Sequence, residues 1–182
     1  MITFRASYIS TEQIKTRNRD YTYSPSTAYL VKLDPNDDKD LMSISDAVKN
    51  WHGDSLGACF YDSMFLPCSD EEYFALTTQE KDFEKLNPCS ILGVASLTLN
   101  KADNDVRIDF LQTDPMYIDQ GTYKKYPFYK WIGSALIDGI AKRYKDKSLS
   151  VFSILGSKSF YEKKGFEETY IKNIWKRKPL IG

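Results

Sequence analysis

The sequence predicts an α/β protein in which a mixed, largely antiparallel, twisted sheet is flanked by helices. Residues 106–111 alternate apolar and polar side chains, which is typical of a strand with one buried face. A second segment has the spacing of one face of an α-helix, with apolar side chains at Ile132, Ala135, Leu136, Ile140 and Tyr144. The second half of the chain reads as a hairpin, a helix, a strand, a helix and a strand, and that order predicts a mixed sheet with helices packed against it.

The first half carries weaker signals. A strand is expected at 29–33, followed by the Asp-rich loop 34–40, whose composition is that of a turn that caps a helix. The helix after this loop is predicted from the spacing of Leu41, Ile44, Val48 and Trp51. Residues 59–65 and 73–77 are further, weaker strand candidates.

The second half has clearer boundaries. Gly165 is a favoured residue for the position just after a helix, so it is expected to end the second of the two helices. In order, we expect a strand at 90–99, a polar turn at 100–105, a strand at 106–111, a helix through 132–144, a strand at 149–154, a short helix at 157–164 and a strand at 166–175.

Residue composition narrows the classes of partner. The 182 residues are enough for a single domain, expected to span 1–182. Lys plus Arg and Asp plus Glu both number 25, so the formal net charge is zero and gives no overall attraction to nucleic acid or to an acidic membrane. No apolar run approaches the ~20 residues of a membrane span, and residues 1–5 lack the apolar stretch of a signal peptide. We therefore expect a cytoplasmic protein without a membrane partner, for which binding of nucleic acid is disfavoured.

The cysteines and the histidine argue against a metal centre. Cys59, Cys68 and Cys89 are widely spaced, no CxxC pair is present, and His52 is the only histidine. Structural zinc needs a set of closely spaced Cys and His ligands. We therefore expect no metal, and we expect the thiols to be reduced.

A small turn at a helix start is the first candidate for chemistry. It reads Lys130-x-x-Gly133-x-Ala135. Free backbone N–H groups and the positive end of the helix dipole make such a turn suited to phosphate. Gly133 allows close approach, and Lys130 can add a charge-assisted contact. The alternative is that Gly133 only lets the helix pack closely on the sheet. Two other phosphate motifs are absent, since no GxGxxG follows a strand and Gly156-Ser157-Lys158-Ser159 lacks the first glycine of a Walker loop.

The second candidate is the tyrosine of Phe160-Tyr161-x-x-x-Gly165-Phe166. Taken with the phosphate turn, in this order along the chain, it resembles the GNAT superfamily of acetyl-CoA-dependent N-acetyltransferases. The family turn reads Arg/Gln-x-x-Gly-x-Gly/Ala, so this chain keeps the glycine and the alanine but begins with a lysine. The later family motif, Leu/Phe-Tyr-x-x-x-Gly-Phe, is matched in full. The resemblance is clearest over 90–175, and the first half agrees only in the order of its elements.

The resemblance implies acetyl-CoA as cosubstrate and a set of residues that hold it. In the family, backbone groups at a strand end hold the pantetheine arm and the acetyl carbonyl, and amides of the turn face the pyrophosphate. Ile154 stands where many members have Asn, so one common contact is lost. The basic run 142–147 is either a solvated helix face or a contact for the 3′-phosphate. The residues expected to bind CoA are Leu111, Gln112, Thr113, Lys130, Trp131, Ile132, Gly133, Ser134, Ala135 and Ser157.

The same resemblance implies that Tyr161 protonates the departing CoA thiolate, a role that suits a phenol. The alternative is a tyrosine that is half-buried and only structural. Asp109 is the candidate general base because it alternates with Ile108 and Phe110, although a solvent-facing aspartate is as good a reading. Lower-ranked candidates are Asp62, Glu71, Glu72 and His52. The aromatic loop 114–129 either shapes the acceptor pocket or packs down on the protein.

The implied activity is acetyl transfer to a primary amine by direct attack in a ternary complex. No cysteine has the histidine and carboxylate setting of an acyl-enzyme nucleophile. The alternative is a non-catalytic GNAT-like module that binds CoA or a protein partner. The acceptor stays open among small amines, antibiotics, peptide N-termini, protein lysines and aminoacyl-tRNA, with the zero net charge weighing against tRNA. The oligomeric state is also open, and a homodimer is one alternative.

Overall fold

A computed structural model of the protein describes residues 6–51, 55–117, 127–153 and 157–181. Helices of eight or more residues in these ranges are α1 (Asp38–Asn50), α2 (Ser55–Phe65) and α3 (Ile132–Arg143), and a shorter helix, α4, covers Lys158–Lys163. The strands in the same ranges are β1 (Ser7–Arg17), β2 (Tyr23–Leu33), β3 (Glu71–Thr77), β4 (Ile91–Asn100), β5 (Asp105–Thr113), β6 (Tyr129–Lys130), β7 (Ser148–Phe152), β8 (Glu167–Glu168) and β9 (Ile174–Arg177).

All of these strands join one sheet in the order β6-β1-β2-β3-β4-β5-β7-β9-β8. β5 and β7 pair in parallel, whereas the other neighbouring pairs are antiparallel. The predicted mixed, largely antiparallel sheet flanked by helices is therefore confirmed. The predicted hairpin is β4 with β5, which pair from Gly93 opposite Thr113 to Asn100 opposite Asp105.

Two apolar clusters cover the two faces of the sheet. On one face, α3 buries Ile132, Leu136 and Ile140 against the inward side chains of the central strands. On the other face, Ile44 of α1 and Phe60 and Met64 of α2 are fully buried. A sheet with both faces covered explains why β4 is apolar over most of its length instead of alternating.

The structure corrects several predicted elements. The segment 59–65 belongs to helix α2, not to a strand, because Phe60 and Met64, four residues apart, are the side chains that reach the core. The expected strand at 166–175 is divided into β8 and β9 by a turn in which Asn173 has a φ of 66°. The expected strand at 149–154 ends at Phe152, and residue 154 lies outside the described ranges. β1 and β6 were not predicted at all.

None of the helices in the described ranges is both long enough and apolar enough to cross a bilayer.

Candidate functional site

The parallel strands β5 and β7 separate part of the way along the sheet. They pair from Asp105 opposite Ser148 to Ile108 opposite Val151, and β5 then continues to Thr113. Among the described residues, the ladder between β5 and β7 ends at Ile108, while the ladder between β5 and β4 continues to Thr113. Leu111–Thr113 therefore lie where the two parallel strands have separated.

A cavity of about 500 Å³ occupies this opening. The end of β5, the start of α3 and the short helix α4 form its walls. Its lining residues are Leu111, Gln112, Thr113, Tyr117, Lys130, Trp131, Ile132, Gly133, Ser134, Ser157, Phe160 and Tyr161. Every residue expected to bind CoA lines this cavity except Ala135, and so does Tyr161, whereas Asp109 does not.

The start of α3 presents backbone donors to this cavity. Trp131 is the residue before the helix and has a left-handed conformation, with a φ of 71°. The N–H of Ala135 donates to the carbonyl oxygen of Trp131 at 2.9 Å, so the amides of Ile132, Gly133 and Ser134 precede the first intrahelical bond of this kind. Ala135 is only 2% exposed. Its N–H is thus engaged within the helix and its side chain lies in the core.

Gly133 is in close contact with α4. A Cβ placed on Gly133 would lie 3.3 Å from Cζ of Phe160 and 3.7 Å from Cγ2 of Thr113. The lack of a side chain at Gly133 therefore allows α3 to pack closely against α4 and β5, as the packing alternative proposes. Gly133 also borders the cavity. Phe160 forms part of the wall for this reason, although the sequence pointed only to its neighbour Tyr161.

Two neighbouring aromatic rings hold the ring of Tyr161 in place. It is 7% exposed, and its ring contacts Phe160 and Phe166 edge-on, with centroid separations of 5.2 Å and 5.6 Å. Burial raises the pKa of the phenol above its usual value near 10, so Tyr161 is protonated at neutral pH. Its hydroxyl has no hydrogen-bond partner among the described residues, while Ser157 nearby bonds to Ser153 through their hydroxyls at 3.0 Å.

Tyr117 also lines the cavity, and it belongs to the aromatic loop 114–129, for which the sequence left open a role in the acceptor pocket or in packing. Its ring contacts Tyr129 edge-on at a centroid separation of 5.1 Å. Burial raises its pKa, and the nearby carboxylate of Asp114 adds to the effect. Residues 118–126 of the same loop, like His52 and Ile154, lie outside the described residues.

Asp109 lies outside the cavity. It is the extra residue at a β-bulge, because Ser96 pairs with Phe110 and the next residue, Leu97, pairs with Ile108. Ile108 and Phe110 consequently pack in different apolar clusters, so the expected alternation across Asp109 is wrong. Its carboxylate accepts hydrogen bonds from Arg107 and, at 2.5 Å, from Thr98.

We expect Asp109→Asn to change kcat for amine acetylation by less than about twofold. The carboxylate of Asp109 lies outside the cavity, and its exposed ion pair with Arg107 contributes little to stability. Steady-state assays over a range of pH measure this effect. A loss of kcat of ~10²-fold or more, the range of a general base, would restore Asp109 as the base.

The other carboxylates considered as bases, Asp62, Glu71 and Glu72, do not line the cavity either. Glu71 accepts from Tyr73, and Glu72 accepts from Tyr144 and pairs with Lys32. Asp62 is an exposed residue of α2. No group of three or more His, Cys, Asp or Glu side chains that could hold a metal occurs among the described residues.

The site suits a phosphate-bearing, extended ligand. The amides at the start of α3 and the side chain of Lys130 supply donors for a phosphate, and the open edge of β5 supplies donors and acceptors for amide groups. The cavity is also apolar where Leu111, Ile132 and Phe160 line it, as a pocket for an organic ligand usually is.

Solved structures share this fold. The PaiA N-acetyltransferase of Thermoplasma acidophilum, solved with coenzyme A, is 16% identical over 84% of this chain and 99% of its own, with a TM-score of 0.52. The ribosomal-protein-S18-alanine N-acetyltransferase of Escherichia coli is 14% identical over 82% of this chain and 88% of its own, with a TM-score of 0.51. A tandem GNAT protein from the clavulanic acid biosynthesis pathway is 16% identical over 79% of this chain and 45% of its own, with a TM-score of 0.50. No family model matches the sequence, and no curated protein matches it significantly.

Proposed function

Starting from the GNAT fold of this chain, we propose that it is an acetyl-CoA-dependent N-acetyltransferase that acts on a primary amine. One observation carries the proposal: a single cavity joins the phosphate turn, the open end of β5 and the hydroxyl-bearing ring of Tyr161. The strands form one sheet across the described residues, which supports a single domain over 1–182.

The proposed binding mode follows from the backbone. The amides of Ile132, Gly133 and Ser134 would face the pyrophosphate, because they lack intrahelical partners and lie at the positive end of α3. Leu111–Thr113 would bond to the amides of the pantetheine arm, because they line the cavity and lie beyond Ile108, the last residue of β5 that pairs with β7. In this binding mode the reactive end of the ligand would lie near Tyr161, which lines the same cavity.

The proposed chemistry is direct attack by the amine, with Tyr161 as the acid. Acetyl-CoA supplies a thioester whose thiolate leaves once the amine has attacked. Tyr161 keeps its proton at neutral pH because burial raises its pKa, so it has a proton to give to that thiolate. No protein group among the described residues competes for this hydroxyl.

Binding of CoA at the helix start is tested by Gly133→Asp. The variant adds a negative charge beside the pyrophosphate, and we expect the affinity for acetyl-CoA, measured by calorimetry, to fall at least about tenfold.

Gly133→Ala is the matched control, since its Cβ meets Phe160 at 3.3 Å without adding charge. If both folded variants lose the same affinity, Gly133 is a packing residue and the helix start is not the phosphate site. If neither loses affinity, CoA binds elsewhere.

A second candidate function is a CoA-binding module without turnover. It is favoured by one observation, that the lining of the cavity contributed by the described residues includes no carboxylate to accept the amine proton. Release of free CoA thiol in the presence of a panel of amines, peptides and aminoacyl-tRNA separates the two. Binding of acetyl-CoA without amine-dependent release would identify the module.

A further inference from the structure

Two lysines face each other beside the start of α3. Lys15 of β1 is directly opposite Lys130 of β6 in an antiparallel pair, so both side chains project from the same face of the sheet. Like charges directly opposite on neighbouring strands repel each other and destabilise the pairing. An arrangement of this kind is stable only if something else holds or neutralises the charges.

Aromatic rings hold both ammonium groups. Nζ of Lys15 lies 4.0 Å from the centroid of the Trp131 ring, and Nζ of Lys130 lies 4.1 Å from that of Tyr23. Neither lysine has a carboxylate within ion-pair distance among the described residues, whereas Lys142 pairs with Glu12 and Lys164 with Asp138. The aromatic contacts fix the positions of the two charges but leave them unneutralised.

The pair is adjacent to the cavity. Lys130 and Trp131 both line it, and Trp131, which carries Lys15 over its ring, is 54% exposed. The amides of α3 add further positive potential at this point. The surroundings therefore suit an anion with more than one charge, in addition to the one that the helix start can bind.

Coenzyme A carries two phosphate groups of different kinds, a pyrophosphate and a doubly charged 3′-phosphate on the ribose. We propose that Lys15 and Lys130 bind the 3′-phosphate, so that the protein distinguishes CoA from 3′-dephospho-CoA. This inference rests on the proposed function, since it assigns the second phosphate of the same ligand.

The other basic candidate is too far away. Lys142 and Arg143 lie at the last turn of α3, roughly 15 Å along the helix axis from Ile132 at 1.5 Å per residue. Lys142 is also paired with Glu12, and Nζ of Lys147 donates to Asn104 at 2.7 Å. The local partners of Lys142 and Lys147 favour the solvated helix face over a contact with the 3′-phosphate.

The test compares two ligands on two variants. Lys15→Gln removes one charge of the pair, and Lys172→Gln removes one from the turn between β8 and β9, at the opposite edge of the sheet. The affinities of CoA and 3′-dephospho-CoA are measured by calorimetry at fixed ionic strength. We expect the unmodified protein and Lys172→Gln to prefer CoA by about tenfold, and Lys15→Gln to lose most of that preference by weakening CoA alone.

The outcomes separate this inference from the proposed function. Equal affinity of the unmodified protein for both ligands, or an equal loss of both in Lys15→Gln, overturns the role of the lysine pair and leaves CoA binding intact. Binding of neither ligand by the unmodified protein overturns the proposed function itself. A loss confined to CoA in a Lys15→Gln protein with unchanged thermal stability supports the inference.

Discussion

Tyr161→Phe is expected to lower kcat for amine acetylation about 100-fold while the KM for acetyl-CoA changes little. General acid catalysis contributes ~10²–10⁴-fold, and a CoA thiolate is a reasonable leaving group, so the low end of this range applies. The ring of Tyr161 is fixed by Phe160 and Phe166, so removal of the hydroxyl keeps the packing. Single-turnover kinetics separate the chemical step from product release.

Tyr117→Phe provides the matched control, because it removes the hydroxyl of the other described tyrosine that lines the cavity. We expect its kcat to stay within about threefold of the unmodified protein. If Tyr161→Phe turns over as fast as this control across the pH range, Tyr161 is a packing residue and the thiolate takes its proton from water.

Asp40→Asn is expected to remove much of the pH dependence of stability between about pH 4 and pH 7. Asp40 lies in the first turn of α1 and is 1% exposed. One carboxylate oxygen accepts from the N–H of Asp34 at 2.8 Å, while the other is buried without a partner among the described residues. Burial raises the pKa of Asp40 to about 7, the charges of Asp37 and Asp34 add to the increase, and the backbone hydrogen bonds oppose it.

The sign follows from proton counting. An unfolded aspartate has a pKa of ~3.9, so between about pH 4 and pH 7 the folded protein holds a proton at Asp40 that the unfolded chain has lost. Stability from this group is therefore present at low pH and is lost as the pH rises through the folded pKa. The loss is on the order of 4 kcal/mol at most, from about three pKa units at ~1.4 kcal/mol each.

Urea unfolding at several pH values measures this difference. Asp38→Asn is the control, because Asp38 is an exposed carboxylate of the same helix turn. We expect Asp38→Asn to retain the pH profile of the unmodified protein and Asp40→Asn to be flatter over pH 4–7. Identical profiles for all three proteins would mean that Asp40 ionises normally in the folded state.

The elements that the sequence predicted well are those whose burial pattern is local. α3 was located from five apolar residues on one helix face, and all five are buried in the structure. The β4–β5 hairpin was predicted because a polar turn separates two apolar strands. The cavity followed from these elements, because a strand end and a helix start that are close in the chain were brought to one opening.

The elements that were not predicted depend on contacts with other segments of the chain. β6 has two residues, too few for any periodicity, and it is a strand only because β1 lies beside it. The bulge at Asp109 is set by the register with β4, which alternation within β5 cannot reveal. The lysine pair was missed for the same reason, since Lys15 and Lys130 are neighbours only in space.

The pairing of β6 with β1 also has a consequence for the kinetics of folding. β6 can pair with β1 only when Lys15 and Lys130 come together, and this closes the chain between them into a loop. The entropy cost of closing a loop grows with its length. Contacts between distant segments slow folding, and this pair gains only two residues of ladder in return. The start of α3 should therefore be anchored late, after the central strands have assembled. If CoA binds as proposed, its presence during refolding would slow unfolding of the finished protein without accelerating the main folding phase.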